Sequence, residues 1–182
     1  MSNTARRSHG PHENLENARS LLSAHEGVRK DEKEMVLVMV DDDEDDCALV
    51  GAALSEAGFG GVLRCLQDGC EIMDYLQRKG RYQDPATAPL PDIILLDLNM
   101  PRMGGYEVLK QLKSDPFHKT IPVIVLTTSS DAEDVKASYE LGANSYITKQ
   151  SSFDGLRCAF ETIREYWVDV ATLPPKGETT VR

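Results

Sequence analysis

The sequence holds no apolar run near the roughly 20 residues that would cross a bilayer. Its opening stretch, MSNTARRSHGPHENLENARS, has arginines but no apolar segment after them, so it does not read as a secretory signal. A cytoplasmic protein without a membrane partner is expected. Cysteine is scarce: Cys47, Cys65, Cys70 and Cys158 fall at irregular spacings with no C-x-x-C pair. That argues against a zinc site or a disulfide framework, and free, half-buried thiols are expected. An excess of basic charge is lacking too. The formal net charge is −10, and the residues up to Glu34 balance six basic against six acidic side chains, so the whole acidic excess lies beyond them. Such a surface repels phosphate backbones, which excludes nucleic acid as an expected partner. What remains, 182 residues with 41% hydrophobic and 27% charged, suits one soluble domain with extensions.

Residues 1–34 are polar and mixed in charge and read as a flexible leader, in which the spacing of Leu15, Leu21 and Leu22 suggests a short helix from Glu13 to His25. Beyond them, five apolar strands alternate with five helical patterns. The strands are expected at Met35–Val40, Val62–Leu66, Ile93–Leu98, Val123–Thr128 and Ser145–Thr148. The helices are expected from about Asp45 to Ala57, from Cys70 to Lys79, from after the pair Gly104-Gly105 to Ser114, from Ala132 to Leu141 and from Phe153 to Val170. Residues 81–91 carry three prolines and read as a surface loop. The folded domain therefore spans residues 35–173, with a tail at 174–182. Each strand-to-strand connection is long enough for a helix, and crossovers of this kind are right-handed. An α/β, flavodoxin-like, doubly wound parallel sheet follows, with strand order 2-1-3-4-5 and helices on both faces. In that order the first and third strands are neighbours, and a site is expected beyond their carboxyl ends.

Acid collects there. Asp41-Asp42-Asp43-Glu44-Asp45-Asp46 follows the first strand, and Asp97 interrupts the apolar third strand near its end. Asp43 to Asp46 read as a solvated helix start that suits the helix dipole. Asp41, Asp42 and Asp97 converge on one patch, since neighbouring strands lie about 4.8 Å apart. Carboxylates that close need a cation, and oxygen ligands without histidine or thiolate suit a hard ion such as Mg²⁺. Thr127 and Lys149 close the fourth and fifth strands at the same edge, adding a hydroxyl and an ammonium. A carboxylate nucleophile, a metal and a fixed cation are what phosphoryl transfer requires.

The segments VDDDEDD, LLDLNMPRMGGYEVL, VLTTSS and YITK, in this order, resemble the receiver domain of two-component response regulators. The resemblance implies that Asp97 accepts a phosphoryl group from a partner sensor histidine kinase. It implies that Asp41 and Asp42 hold Mg²⁺ (or Mn²⁺) together with Asp97, with Asn99 a further ligand through its backbone carbonyl. Thr127 would be the switch hydroxyl, Tyr146 the switch aromatic and Lys149 the phosphate-binding cation. Signalling would pass through the surface of the fourth helix, fifth strand and fifth helix, and the chain would be a phosphoacceptor rather than an enzyme. The proline-containing loop, the TTSS sequence and the absence of an output domain are most similar to small regulators paired with phytochrome-type sensor kinases. One departure is Gln150, which follows Lys149 where receivers commonly have a cis proline; the leader is another.

A haloacid dehalogenase-type phosphatase wants a second aspartate two residues after the nucleophile, where Asn99 stands. A flavin-binding protein needs a phosphate-cradling loop where this chain has acid. A receiver-like module that acts by interaction alone, without phosphorylation, keeps the same residue types. Finally, Phe153, Leu156, Phe160, Ile163, Trp167 and Val170 draw one apolar stripe along the last helix, which is longer than the strands it covers. A homodimer through that C-terminal helix is expected.

Overall fold

A computed structural model of the protein describes residues 34–176. Residues 1–33 of the leader, with the helix read there, and the last six residues of the tail lie outside the described residues. Five parallel strands, β1 (Val36–Val40), β2 (Val62–Leu66), β3 (Ile93–Leu96), β4 (Val123–Thr127) and β5 (Ser145–Thr148), form one sheet in the order 2-1-3-4-5. The helices are α1 (Glu44–Glu56), α2 (Gly69–Leu76), α3 (Gly105–Ser114), α4 (Ala132–Glu140) and α5 (Phe153–Arg164). This is the flavodoxin-like α/β arrangement.

The continuously apolar strands are buried because side chains alternate between two covered faces. On one face Val36, Val38, Val40, Ile94, Leu96, Val123 and Val125 pack with α2 and α3 through Ile72, Leu76, Val108 and Leu109. On the other, Leu37, Met39, Ile93, Leu95, Ile124 and Leu126 pack with α1 and α5 through Val50, Leu54, Leu156 and Phe160. Helix starts are set by side chains: the carboxylates of Asp43, Asp68 and Asp131 and the hydroxyl of Ser152 accept backbone N–H groups at the starts of α1, α2, α4 and α5. Gly58, at φ +74°, turns the chain after α1.

Several expectations need correction. The β3 ladder stops at Leu96, two residues early, although the Asp97 N–H still donates to the Val40 carbonyl at 3.0 Å. Helix α2 ends at Leu76, not Lys79, because Arg78 (φ +59°) and Gly80 (φ +54°) turn the chain into a short helical turn at Gly80–Tyr82. The proline-containing loop after it is pinned: Ala88 is buried, and the Tyr75 hydroxyl donates to the Pro89 carbonyl at 2.5 Å. After Arg164 the last helix widens into a π-type turn over Glu165–Val170. The four cysteines are not all free. Cys47 on α1 and Cys65 on β2 form a disulfide, with Cα atoms 6.3 Å apart. Their spacing in the chain carries no sign that the start of α1 lies over the end of β2. Cys70 and Cys158 are free. Among the described residues no helix is long and apolar enough to cross a membrane.

Candidate functional site

The ends of two neighbouring strands, β1 and β3, bring the acidic residues together. Val40 pairs with Leu96 in parallel register, so the next residues, Asp41 and Asp97, leave the sheet side by side. Both are buried, at 5% and 6% exposure, while Asp42 points outward. Carboxylate oxygens of Asp41, Asp42 and Asp97 all lie within 4.8 Å of one another. The backbone N–H of Asn99 donates to Asp97 Oδ2 at 2.9 Å, and that of Asp43 to Asp41 Oδ1 at 3.1 Å. Asp97 Oδ1 faces Lys149 Nζ at 3.8 Å.

Lys149 reaches the patch from the end of β5, where Thr127 pairs with Thr148 and the Lys149 N–H donates to the Thr127 carbonyl. Its ammonium donates to Asp41 Oδ2 at 2.6 Å and Asp46 Oδ2 at 2.5 Å. Burial works against the lysine charge, but the hydrogen bonds to Asp41 and Asp46 outweigh it and hold its pKa above the ordinary value. Asp41 is pulled both ways. Burial and the Asp97 charge raise its pKa, Lys149 lowers it, and the balance is upward. Three carboxylates, of Asp41, Asp46 and Asp97, thus surround one ammonium, with that of Asp42 close to two of them. The excess negative charge and the all-oxygen donor set fit a hard divalent cation held by Asp41, Asp42 and Asp97. Thr127 is fully buried at the adjacent strand end. The Lys149–Gln150 peptide, like every other among the described residues, is trans.

Tyr146 is half-buried against the α2/α3 face, and its hydroxyl donates to the Ser129 carbonyl at 3.0 Å. All seven residues singled out from the sequence therefore sit at one edge of the sheet or just behind it. Asp46 was missed as part of the site. The reading of a solvated helix start holds for Glu44 and Asp45, which are exposed, but Asp46 turns back to Lys149. The signal was its spacing: three residues after the capping Asp43, it lies in the first helical turn, back over the strand end.

The model of the response regulator receiver domain matches residues 36–161. This chain belongs to the response regulator receiver family. It is 41% identical to the response regulator Rcp1 of Synechocystis sp. over 139 residues, 76% of this chain and 92% of that protein. Among solved structures, the phosphorylated cyanobacterial phytochrome response regulator RcpA is 41% identical, with a TM-score of 0.71, covering 78% of this receiver chain and 99% of that one. The Mn²⁺-bound form of Rcp1 is 40% identical at a TM-score of 0.70, with the same coverage.

Proposed function

We propose that this receiver is a response regulator of the cytoplasm that accepts a phosphoryl group on Asp97 from the phosphohistidine of a sensor kinase. The observation that carries the reading is the buried Asp97 carboxylate, one oxygen tied to the Asn99 N–H and the other turned to Lys149 across a cluster of acids. In the transfer an Asp97 oxygen bonds to phosphorus as the phosphorus–nitrogen bond to the kinase histidine breaks, and the electron pair stays on the imidazole. The chain itself supplies position and charge. Asn99 fixes the carboxylate plane, Lys149 leans toward the arriving phosphoryl oxygens, and the Thr127 hydroxyl meets them from β4. A divalent cation, Mg²⁺ or Mn²⁺, held by Asp41, Asp42, Asp97 and the Asn99 carbonyl would neutralise the remaining charge on those oxygens. Drawing the Thr127 hydroxyl toward the phosphoryl group opens space into which the Tyr146 ring turns, so the surface of α4, β5 and α5 changes. The kinship with Rcp1 and RcpA favours a phytochrome-type kinase as the partner, and the exposed apolar end of the last helix favours a homodimer.

The test is labelling with acetyl phosphate and Mg²⁺. Wild type should take up one acid-stable, base-labile phosphoryl group, and Asp97→Asn should take up none while keeping its circular dichroism. Equal labelling of Asp97→Asn would move the acceptor elsewhere. Failure of wild type to label under any condition would favour a module that acts by interaction alone.

A further inference from the structure

Ser129, two residues after Thr127, has every polar atom engaged, each with a different part of the fold. Its N–H donates to Thr127 Oγ1 at 3.5 Å, and its carbonyl accepts from the Tyr146 hydroxyl at 3.0 Å. Its own hydroxyl donates to Asp134 Oδ2 at 2.5 Å and accepts the Asp131 N–H at 3.2 Å. The second oxygen of Asp134 accepts the Tyr106 hydroxyl at 2.7 Å. One carboxylate in the first turn of α4 thereby ties α3, through Tyr106, to the loop between Thr127 and Tyr146.

Asp134 is not needed to cap its own helix. Asp131 does that, accepting the Glu133 N–H at 3.0 Å. Both hydrogen bonds to Asp134 are charge-assisted, of a class roughly twice as strong as neutral ones. They also hold the Asp134 carboxyl below the usual carboxylate range, with Ser129 the larger cause. The Ser129-to-Thr127 bond, by contrast, is at the limit of a hydrogen bond, so the Thr127 hydroxyl can leave it while the rest stays fastened.

We propose that Asp134 is a positioning residue for the acceptor site, a latch that through Ser129 fixes the loop after β4 and gives the Tyr146 hydroxyl a stationary acceptor. With the latch closed, Thr127 moves toward a phosphoryl group against a fixed loop. With it open, the loop and the Tyr146 ring are loose and must be ordered when phosphate arrives, which weakens the phosphorylated arrangement. The first part concerns the resting protein alone; the second rests on Asp97 as the acceptor.

The experiment compares wild type with Asp134→Ala, Ser129→Ala, the double variant and Tyr106→Phe, following Tyr146 ring resonances by NMR and the affinity for beryllofluoride with Mg²⁺. In the resting protein, Asp134→Ala and Ser129→Ala should shift or broaden the Tyr146 ring signals alike, and the double variant should do no more than either single one. Tyr106→Phe, which removes one arm and no charge, should have a smaller effect of the same kind. Affinity for the mimic should fall about fivefold or more in Asp134→Ala, the lower range of coupling between sites, and in a Tyr146→Phe background that fall should vanish. Unchanged ring signals, additive effects, or a fall that survives Tyr146→Phe would each overturn the latch. If Asp134→Ala fails to fold, Ser129→Ala and Tyr106→Phe decide it by the same signals. If wild type binds no mimic, the reading of Asp97 is what fails, and the latch stands or falls on the resting Tyr146 signals.

Discussion

Side chains at the carboxyl edge depend on how closely backbone segments approach beneath them. Gly105 begins α3 under the loop that carries Asp97, and a Cβ there would collide with the Asp97 carbonyl oxygen and sit 2.8 Å from the Leu98 Cα. Backbone cannot yield as a flexible side chain can. Gly105→Ala should therefore cost about 1–3 kcal/mol, the usual range for overpacking, and should weaken beryllofluoride binding by displacing Asp97. Gly104→Ala is the control, since its nearest contact would be an ordinary 3.4 Å from the Leu98 carbonyl. Urea denaturation of the two variants should separate them, and equal losses would refute the argument. A second residue reports on burial. The Lys113 ammonium donates to the Ile121 carbonyl at 2.8 Å and has no carboxylate partner among the described residues. Burial pulls its pKa down from 10.5 to about 8. Between those values the unfolded chain binds more protons than the folded one, so stability should rise with pH across that window. Lys113 is only half-buried, so the gain should be modest, on the order of 1 kcal/mol. Urea midpoints near pH 7.5 and near pH 9.5 should show the rise in wild type and not in Lys113→Met. At this scale the sequence was readable wherever a polar residue interrupted an apolar strand end, as at Asp97, or closed one, as at Thr127 and Lys149. Asp134 was unreadable, because its partners Ser129 and Tyr106 come from separate elements that only the packed fold brings to it.

The strands were legible as apolar runs and the helices as repeats between them, because burial on both faces leaves a pattern in composition that local sequence preserves. Element ends were less so. The end of α2 depends on positive backbone angles at Arg78 and Gly80, and nothing in the apolar repeat marks the first of these. The Cys47–Cys65 bond shows the same limit between elements: it needs the register of α1 over β2, which no spacing encodes. The two residues are 18 apart in sequence, and closing a loop of that size restricts the unfolded chain by about 3 kcal/mol. Under non-reducing conditions a Cys47→Ser, Cys65→Ser protein should lose about that much stability. A reducing agent should lower the wild type toward the double variant and leave the variant itself unmoved. A wild type indifferent to reductant would mean that the bridge does not contribute in solution.

For the molecule as a whole, the apolar stripe along the last helix turns out to serve two purposes. Leu156, Phe160 and Ile163 are buried against the sheet and α1, and Phe153 and Trp167 are half-buried on the same core, so most of the stripe is core packing. Trp167, near the far end of the stripe, does not project past the sheet: its indole packs on that core, with the Tyr166 ring edge-on at 5.2 Å. The reason is the widened turn at Glu165–Val170, which re-aims the side chains that a straight helix would have carried outward. What it leaves exposed is a different set, Tyr166 at 55%, Val168 at 42% and Val170 at 67%. Three large apolar side chains within five residues, on a segment already held by the Arg164–Asp169 ion pair at 2.8 Å, form a preorganised patch. The proposed homodimer should use this patch, so Tyr166→Ser with Val170→Ser is the informative variant. Changing Phe160 would unfold the core and decide nothing. In sedimentation at micromolar concentration the wild type should shift toward dimer as concentration rises, and the double variant should stay monomeric with unchanged circular dichroism. Trp167→Ala should instead lower stability first and association only secondarily. A wild type that is monomeric throughout, with and without beryllofluoride, would rule out self-association and leave the patch to a foreign partner such as the kinase.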